Sequence, residues 1–378
     1  MSDDATDDLR QLHDELRKVA RDLLGAPVAG EPVDLDWPLA ASLGWLGLEV
    51  PEALGGSGAT FAEVAVVGEE LGRAAAAGPF LGTAVLGVGA LAALEPGDDR
   101  DGLLAGIAAG DEVVAVAVPT GEAAAGAVVR PEFRLARTAA GLVLDGGAAF
   151  VPDAPAAGRL LVIAADPDGV PVVVVADPGQ TGLAVDAQPV LDASRDLGAV
   201  VAASVPVADD SVLRFAGDPQ AALARLVQRG ALAVAVDCLG VAGAMLDATV
   251  AYARVRHQFG RPIGSFQAVK HACADMLVQL SLSRELVAVA VEDVVAEAPG
   301  AATSAAMAKA HACEMAVRVA GSAMQLHGGI GYTWESGVPL HLKRAALDRS
   351  LFGSPRAHRA AVSRRYRASG AGPRTITT

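Results

Sequence analysis

Residues 252–276 read YARVRHQFGRPIGSFQAVKHACADM, and residues 324–335 read MQLHGGIGYTWE. In the first segment an apolar helix ends in a basic cluster around Gln258 and Phe259, a Gly-Arg-Pro-Ile-Gly turn follows, and a second helix begins. One interpretation is a basic cap, because cations stabilise the C-terminal end of a helix. The other is an anion site, in which Arg256 and Gln258 hold a diphosphate while Phe259 packs on a ring.

The second segment contains more than a helix end requires. Gly328 and Gly329 predict the end of a long helix and let backbone approach a ligand closely. A helix stop needs only the first of these glycines. It does not explain why Gln325, Tyr332 and Trp334 crowd the same turn in a chain with 3 Trp and 3 Tyr. The segment therefore indicates a binding site.

The remaining sequence has three textures. Residues up to Leu94 follow helical periodicity, and from Asp111 short Val-rich runs bounded by Gly, Pro and Asp indicate antiparallel strands. After Pro219 long apolar helices continue to about Arg367. The sequence predicts an α+β fold with an N-terminal helical domain, a middle antiparallel β domain and a C-terminal four-helix bundle, with boundaries at 1–110, 111–215 and 216–378.

Composition excludes several classes of protein. The chain has 378 residues, and its hydrophobic share of 52% is far above that of disordered proteins. A net charge of −14 argues against a nucleic-acid partner, because such binding depends on Lys and Arg. Three cysteines without a CxxC pair fit neither a disulfide framework nor a metal site. We therefore expect no bound metal and a reducing, cytoplasmic location.

Membrane insertion is also not expected. The N-terminus, MSDDATDDLRQ, is acidic where a signal peptide would be basic and then apolar. Residues 74–94 carry no charge and are long enough to cross a bilayer. They are mostly Ala and Gly and are interrupted by Pro79, so the sequence predicts two packed helices with a turn and no membrane span.

Together the two segments resemble the acyl-CoA dehydrogenase family. Its hallmarks are a Tyr-Ala-x-x-Arg-x-x-Phe-Gly-x-Pro-Ile segment and a Gln-x-x-Gly-Gly-x-Gly-Tyr segment in a C-terminal helical domain, and both occur here. LGWLGLEVPEALGGSGATFAEVAVVGEELGRA resembles the N-terminal domain of the family, and the Val-rich middle matches its β domain in position and size. The resemblance implies a homo- or hetero-tetramer with noncovalent FAD at a subunit interface.

The resemblance assigns cofactor contacts residue by residue. Arg256, Gln258 and Phe259 of one subunit would meet the FAD of its neighbour, with the arginine neutralising the diphosphate. The other implied cofactor contacts are Gln267 at the nucleotide, Gln325, Gly328 and Gly329 along the adenosine diphosphate, and Ser354 near the base of the cofactor.

The implied reaction is α,β-desaturation of an acyl-CoA thioester. A carboxylate removes the α-proton, and a hydride passes from the β-carbon to flavin N5. An electron-transfer flavoprotein or a similar acceptor would then reoxidise the flavin.

This sequence departs from the family at the catalytic base. Phe352 occupies the position of the usual catalytic Glu, and Gly230 occupies the alternative position of that Glu near the start of a helix. Asp237, two turns further along the same helix, is the nearest substitute, because desolvation would raise its pKa. The alternative is that Asp237 pairs with a buried Arg or caps backbone. Glu335 and Asp348 are weaker candidates.

The middle domain departs from the family as well. It has VPTGEAAAG at 118–126 in place of the Thr-Glu-Pro segment, and it lacks the Trp-containing strand, two features that flank the flavin in active members. The divergent actinobacterial branch of the family shows similar losses, and some of its members work as pairs of unlike subunits on steroid or other bulky CoA thioesters.

Three hypotheses follow. The chain desaturates an acyl-CoA, alone or as one subunit of a heteromer; or it is a noncatalytic FAD-holding or assembly subunit; or it oxidises another acidic C–H with an Asp base.

The C-terminal tail, residues 353–378, carries six arginines and no acidic residue. One interpretation is a solvated helix end. The other is a contact with a CoA phosphate or with another subunit.

Overall fold

The computed structural model describes residues 3–27, 30–126, 128–139 and 141–368. The helices are α1 (Asp3–Leu24), α2 (Trp37–Ser42), α3 (Phe61–Arg73), α4 (Val88–Ala92), α5 (Asp98–Ala109), α6 (Pro219–Val255), α7 (Gln267–Val295), α8 (Ala301–His327), α9 (Val338–Ser350) and α10 (Pro355–Ala368). The strands are β1 (Val33–Asp34), β2 (Ala76–Ala77), β3 (Val114–Ala117), β4 (Phe133–Thr138), β5 (Gly141–Pro152), β6 (Arg159–Ala165), β7 (Pro171–Ala176), β8 (Leu183–Ala187), β9 (Leu197–Val207), β10 (Val212–Leu213), β11 (His257–Gln258) and β12 (Arg261–Pro262).

The N-terminal helices begin where the sequence supplies caps. Thr60 and Glu63 form a capping box at the start of α3, which satisfies backbone N–H groups that the first turn leaves free. The uncharged stretch after α3 forms the short strand β2, a turn, a π-helix over Leu81–Gly87 and then α4. The turn is where the sequence predicts it, but the prediction of a helix before the turn is wrong, because residues Ala76–Ala77 pair as a strand with β1. The side chains of the stretch are largely buried in the fold.

One described helix passes a membrane test by length and composition. It is Pro219–Val255, and 83% of its most apolar 18-residue window is buried inside the fold. A core helix of a packed bundle has this property.

The middle sheet has the strand order β10-β7-β6-β4-β5-β9-β8, with β3 beside β6. Most neighbours are antiparallel, but β3 and β4 both pair with β6 in parallel. The predicted antiparallel pairing is therefore confirmed for most neighbours, and it is wrong for β3 and β4 where they pair with β6. Short Val-rich runs have the same side-chain alternation in either direction, so the sequence pattern could not distinguish them.

The C-terminal helices α6, α7, α8 and α10 pack as a bundle, and α3 crosses α6 closely. A Cβ on Gly240 would lie 1.9 Å from the carbonyl oxygen of Glu69, and one on Gly72 would lie 2.2 Å from that of Asp237. One apolar core joins helices from both helical regions to one face of the sheet, and a second core lies within the β region. The boundaries at residues 110 and 215 remain predictions.

We expect Gly240→Ala to destabilise the fold by about 1–3 kcal/mol, because the added methyl group meets backbone that cannot rotate away. Gly321→Ala in α8 is the matched control, since nothing lies within 4 Å of its added Cβ, and it should stabilise the helix by up to about 1 kcal/mol. Urea unfolding measures both changes. Equal midpoints for the two variants would show that the α3–α6 crossing is not tight.

Candidate functional site

The basic segment after α6 forms a protruding hairpin. The N–H of Arg256 donates to the carbonyl of Tyr252 and closes the helix, and strands β11 and β12 then pair in antiparallel fashion. Phe259 lies at the tip with a φ of 51° and with 91% of its surface exposed. Arg256 and Gln258 are exposed beside it. Burial of this ring against a ligand or another subunit would be favourable.

The second segment ends α8 as the sequence predicts. Gly328 has a φ of 64°, and an added Cβ would meet nothing within 4 Å at Gly328 or at Gly329. The backbone of this turn is therefore open to a ligand, and Gln325 is exposed one turn earlier.

The fold brings the two segments together. The ring of Tyr252 stacks on the ring of His327, with centroids 4.5 Å apart and planes at 18°. Tyr252 lies in the last turn of α6 and His327 is the last residue of α8, so the hairpin and the glycine turn leave neighbouring helix ends. Gln267, the first residue of α7, is exposed at the far side of the hairpin.

The position of the usual catalytic Glu is closed. Phe352 is fully buried with a φ of 55°, a left-handed conformation that costs about 1–3 kcal/mol for such a residue. Its N–H donates to the carbonyl of Thr120, and its carbonyl accepts a hydrogen bond of 2.8 Å from Nε2 of His358. The loop that carries Thr120 therefore closes directly on the loop that carries Phe352.

The alternative Glu position faces the same ring. A Cβ on Gly230 would lie 2.6 Å from Cε1 of Phe352, so the phenyl ring fills the space that a side chain at Gly230 would need. The sequence identified both positions as lacking the Glu, but it gave no sign that they touch.

Asp237 is held in a buried ion pair. Its Oδ2 accepts from Nε of Arg344 at 2.9 Å and its Oδ1 from Nη2 of Arg344 at 2.7 Å, while Nη2 of Arg195 lies 3.1 Å from Oδ1. Burial acts to raise the pKa of Asp237, but the two guanidinium groups outweigh it and hold the pKa below its ordinary value. The expected rise in pKa is therefore wrong, and the alternative of a buried Arg partner is what the structure shows. Such a carboxylate is a poor proton acceptor.

The two weaker candidates are no better placed. Asp348 is fully buried, 3.0 Å from Nη2 of Arg195, and burial raises its pKa well above the ordinary value despite that arginine. Glu335 is exposed on a surface turn. Ser354 lies two residues after Phe352, where its hydroxyl accepts from the N–H of Ala357 at 3.3 Å in the first turn of α10.

The structure has an alanine-lined groove near Phe352 that the sequence did not lead us to expect. Its volume is about 330 Å³, and it lies between helices α6, α8 and α10 and a loop that contributes Ala124, Ala125 and Val129. A Cβ on Gly353 would lie 2.8 Å from Cβ of Ala125, so the turn after Phe352 packs closely on this loop. Alanines that recur along the two facing helices α6 and α8 were the available signal: Ala221, Ala224, Ala231, Ala302, Ala305 and Ala306.

Part of the arginine-rich tail belongs to this groove. Arg365 lines it, and Nη2 of Arg364 donates to the carbonyl of Ala125 at 3.1 Å. The last arginine of the tail, Arg374, lies outside the described residues.

The residues present fit FAD at the diphosphate end of the cofactor. The exposed guanidinium of Arg256, the amide of Gln258 and the open turn at Gly328 suit a diphosphate and its nucleotide. The loop of Thr120, which replaces a segment that flanks the flavin in the family, contacts the loop of Phe352. In the part of the chain that the structure describes, no group of three or more His, Cys, Asp or Glu could hold a metal ion.

Family models match most of the two helical regions. The model described as "Acyl-CoA dehydrogenase, C-terminal domain" matches residues 220–366, and the model described as "Acyl-CoA dehydrogenase, N-terminal domain" matches residues 6–111. The acyl-CoA dehydrogenase IpdE2 of Mycolicibacterium smegmatis is 34% identical over 325 residues, which are 84% of this chain and 83% of that protein.

Two solved structures, each named for a pair of proteins, are similar along nearly the whole chain. A chain of the ChsE4-ChsE5 complex from Mycobacterium tuberculosis is 28% identical with a TM-score of 0.80, and the match covers 99% of each chain. A chain of a variant of the Tcur3481-Tcur3483 steroid ACAD is 27% identical with a TM-score of 0.80, and the match covers 97% of this chain and 99% of that one.

The charge network around Asp237 predicts a pH effect at a neighbouring carboxyl. Asp153 is buried, its Oδ2 accepts from the N–H of Gly82 at 2.6 Å, and burial raises its pKa to about 7 against the opposing effects of that hydrogen bond and Arg195. In the unfolded chain an Asp titrates near 3.9. Between these values the folded state binds one more proton, so the contribution of Asp153 to stability falls as pH rises.

We therefore expect the stability of the wild type minus that of Asp153→Asn to fall by up to about 1.4 kcal/mol per pH unit between about pH 4 and 7, and to level off above. Chemical denaturation at a series of pH values measures the difference. Asp186→Asn, an exposed change on β8, is the control for loss of an acidic residue. A difference for Asp153→Asn that does not change with pH would show that Asp153 stays ionised.

Proposed function

The chain belongs to the acyl-CoA dehydrogenase family, and we propose that it acts in the α,β-desaturation of an acyl-CoA thioester as the base-lacking member of a pair of unlike subunits. FAD-dependent oxidation of acyl-CoA is the reaction of the family, and FAD is its cofactor. The observation that carries the proposal is the contact between Phe352 and Gly230. One apolar ring fills both positions from which a Glu could reach the substrate.

The carboxylate of Asp237 is a poor replacement for the missing Glu. Asp237 is committed to Arg344 and Arg195, and its lowered pKa disfavours proton uptake. This argues against desaturation by this chain alone, and against oxidation of another acidic C–H by an Asp base. The α-proton of a thioester is weakly acidic, so a catalyst without a positioned base would be slow.

The exposed hairpin of this chain is suited to contact a partner subunit and its cofactor. In the proposed pair its exposed hairpin, with Arg256, Gln258 and Phe259, reaches the diphosphate of an FAD whose flavin lies in the other subunit. When bound, FAD accepts the hydride from the substrate β-carbon. The guanidinium of Arg256 neutralises phosphate, and Phe259, at 91% exposure, gains burial on assembly.

The partner that best fits is a second, related chain carrying the base. One similar solved structure is the ChsE4-ChsE5 complex, and another carries the paired name Tcur3481-Tcur3483 and is described as a steroid ACAD. For this chain we therefore propose a heteromeric assembly and a bulky CoA thioester as substrate. We also propose a cytoplasmic location and an electron-transfer flavoprotein or similar protein as the electron acceptor.

The activity of the pair tests the proposal. The chain alone, given FAD, ferrocenium as electron acceptor, and a panel of straight-chain and ring-bearing acyl-CoA thioesters, should release no unsaturated product. The chain purified with its partner should convert at least one thioester to a product lacking two hydrogens, detected by mass spectrometry. Turnover by the chain alone that Asp237→Asn abolishes while the fold persists would contradict the proposal and establish Asp237 as the base.

FAD retention by the pair tests the hairpin. We expect Arg256→Ala to weaken FAD binding by about 1.5–3 kcal/mol, roughly tenfold or more, because a charge-assisted contact to the diphosphate is lost. Arg254→Ala removes the same charge from the last turn of α6 and is the control. Flavin absorbance after gel filtration reports the bound fraction. Equal retention by the two variants would place the diphosphate elsewhere.

A further inference from the structure

Two buried cysteines lie in contact inside the helical bundle. Cys238 on α6 and Cys313 on α8 are both fully buried, and their Sγ atoms are 3.5 Å apart. The third cysteine, Cys273, lies on α7, is half-buried and is not part of this pair. The pair lies outside the cofactor and substrate residues described above.

A buried ammonium group accompanies the pair. Lys309 lies one turn before Cys313 on α8 and is fully buried. Its Nζ donates to Sγ of Cys313 at 3.3 Å and to the carbonyl of Asp348. A buried cation is costly unless an anion lies beside it, and a thiolate at Cys313 supplies that negative charge.

The two sulfurs differ in protonation. Burial acts to raise the pKa of Cys313, but the hydrogen bond from Cys238 and the charge of Lys309 bring it down to about 7. Burial raises the pKa of Cys238 well above its ordinary value, so Cys238 remains a thiol. A thiolate in contact with a thiol is the arrangement of an attacking and a resolving cysteine.

We propose that Cys238 and Cys313 are a redox-active pair, which a small hydroperoxide converts to a disulfide joining α6 to α8. The Cys313 thiolate attacks one peroxide oxygen, the O–O bond breaks, and Cys313 becomes a sulfenic acid while the other oxygen leaves and takes up a proton. The sulfur of Cys238 then attacks Sγ of Cys313, the S–O bond breaks, and the departing hydroxide takes the thiol proton of Cys238 and leaves as water. The two thiols lose two electrons in total, and the hydroperoxide gains them.

The geometry sets two conditions on this step. The sulfurs must approach from 3.5 Å to about 2.05 Å. Full burial restricts the reaction to oxidants of about the size of water. The product closes a loop between positions 75 residues apart, so it should raise resistance to unfolding.

Hydrogen peroxide treatment of the full-length chain, with its partner and FAD where these co-purify, tests the proposal. After denaturing alkylation and proteolysis, we expect a Cys238–Cys313 cross-linked peptide that lacks two hydrogens and is released by dithiothreitol. Cys313→Ser should abolish it, and Cys273→Ser should leave it unchanged. A Cys313 that becomes sulfinic acid without the cross-link, or no reaction in protein that forms the cross-link once denatured, would overturn the proposal.

The role of Lys309 is tested separately. Lys309→Met keeps the length of the side chain and removes its charge, and it should slow cross-linking at pH 7 by about tenfold or more, because less thiolate remains. The wild type provides a second readout that needs no variant to fold. Its cross-linking rate should rise with a midpoint near pH 7, and a midpoint near 8.5, the value of a free Cys, would overturn the thiolate assignment.

Discussion

A buried charge network joins the three regions of the chain. Arg195, from the loop between β8 and β9, lies 3.1 Å from Asp237 on α6 and 3.0 Å from Asp348 on α9. Arg344 binds Asp237 with two hydrogen bonds and also donates to the carbonyl of Ala76 at 2.7 Å. Removing one partner would leave a buried charge uncompensated, at a cost of about 3–5 kcal/mol. The network therefore fixes α6 against the sheet and the N-terminal region.

The closed base position follows from this constraint. With α6 held in place, Gly230 faces Phe352, and the N–H of Phe352 reaches the carbonyl of Thr120 in the middle region. The same network binds the carboxylate of Asp237, which the sequence indicated as a substitute base. The buried charges of this chain therefore hold its three regions together. The residues that the resemblance assigns to FAD lie on the surface, at the hairpin and the glycine turn.

Local patterns predicted what depends on neighbouring residues. The helix ends at Val255 and His327, the turn at Gly328 and the change from helix to strand and back were all legible from spacing and composition. Contacts between distant residues were not. Asp237 and Arg344 are 107 positions apart. The sequence around an Asp in an apolar run is the same whether or not a distant Arg pairs with it. The direction of pairing between β3 and β6 could not be predicted for the same reason, because side chains alternate between the two faces of a strand in parallel and antiparallel pairs alike.

We propose that this chain contributes its hairpin to an FAD whose flavin lies in the partner subunit. The FAD content of the assembled heteromer, measured as moles of released FAD per mole of polypeptide, distinguishes this arrangement from one in which every chain holds its own flavin. We expect one FAD for each pair of unlike chains. One FAD for every chain would contradict the proposal.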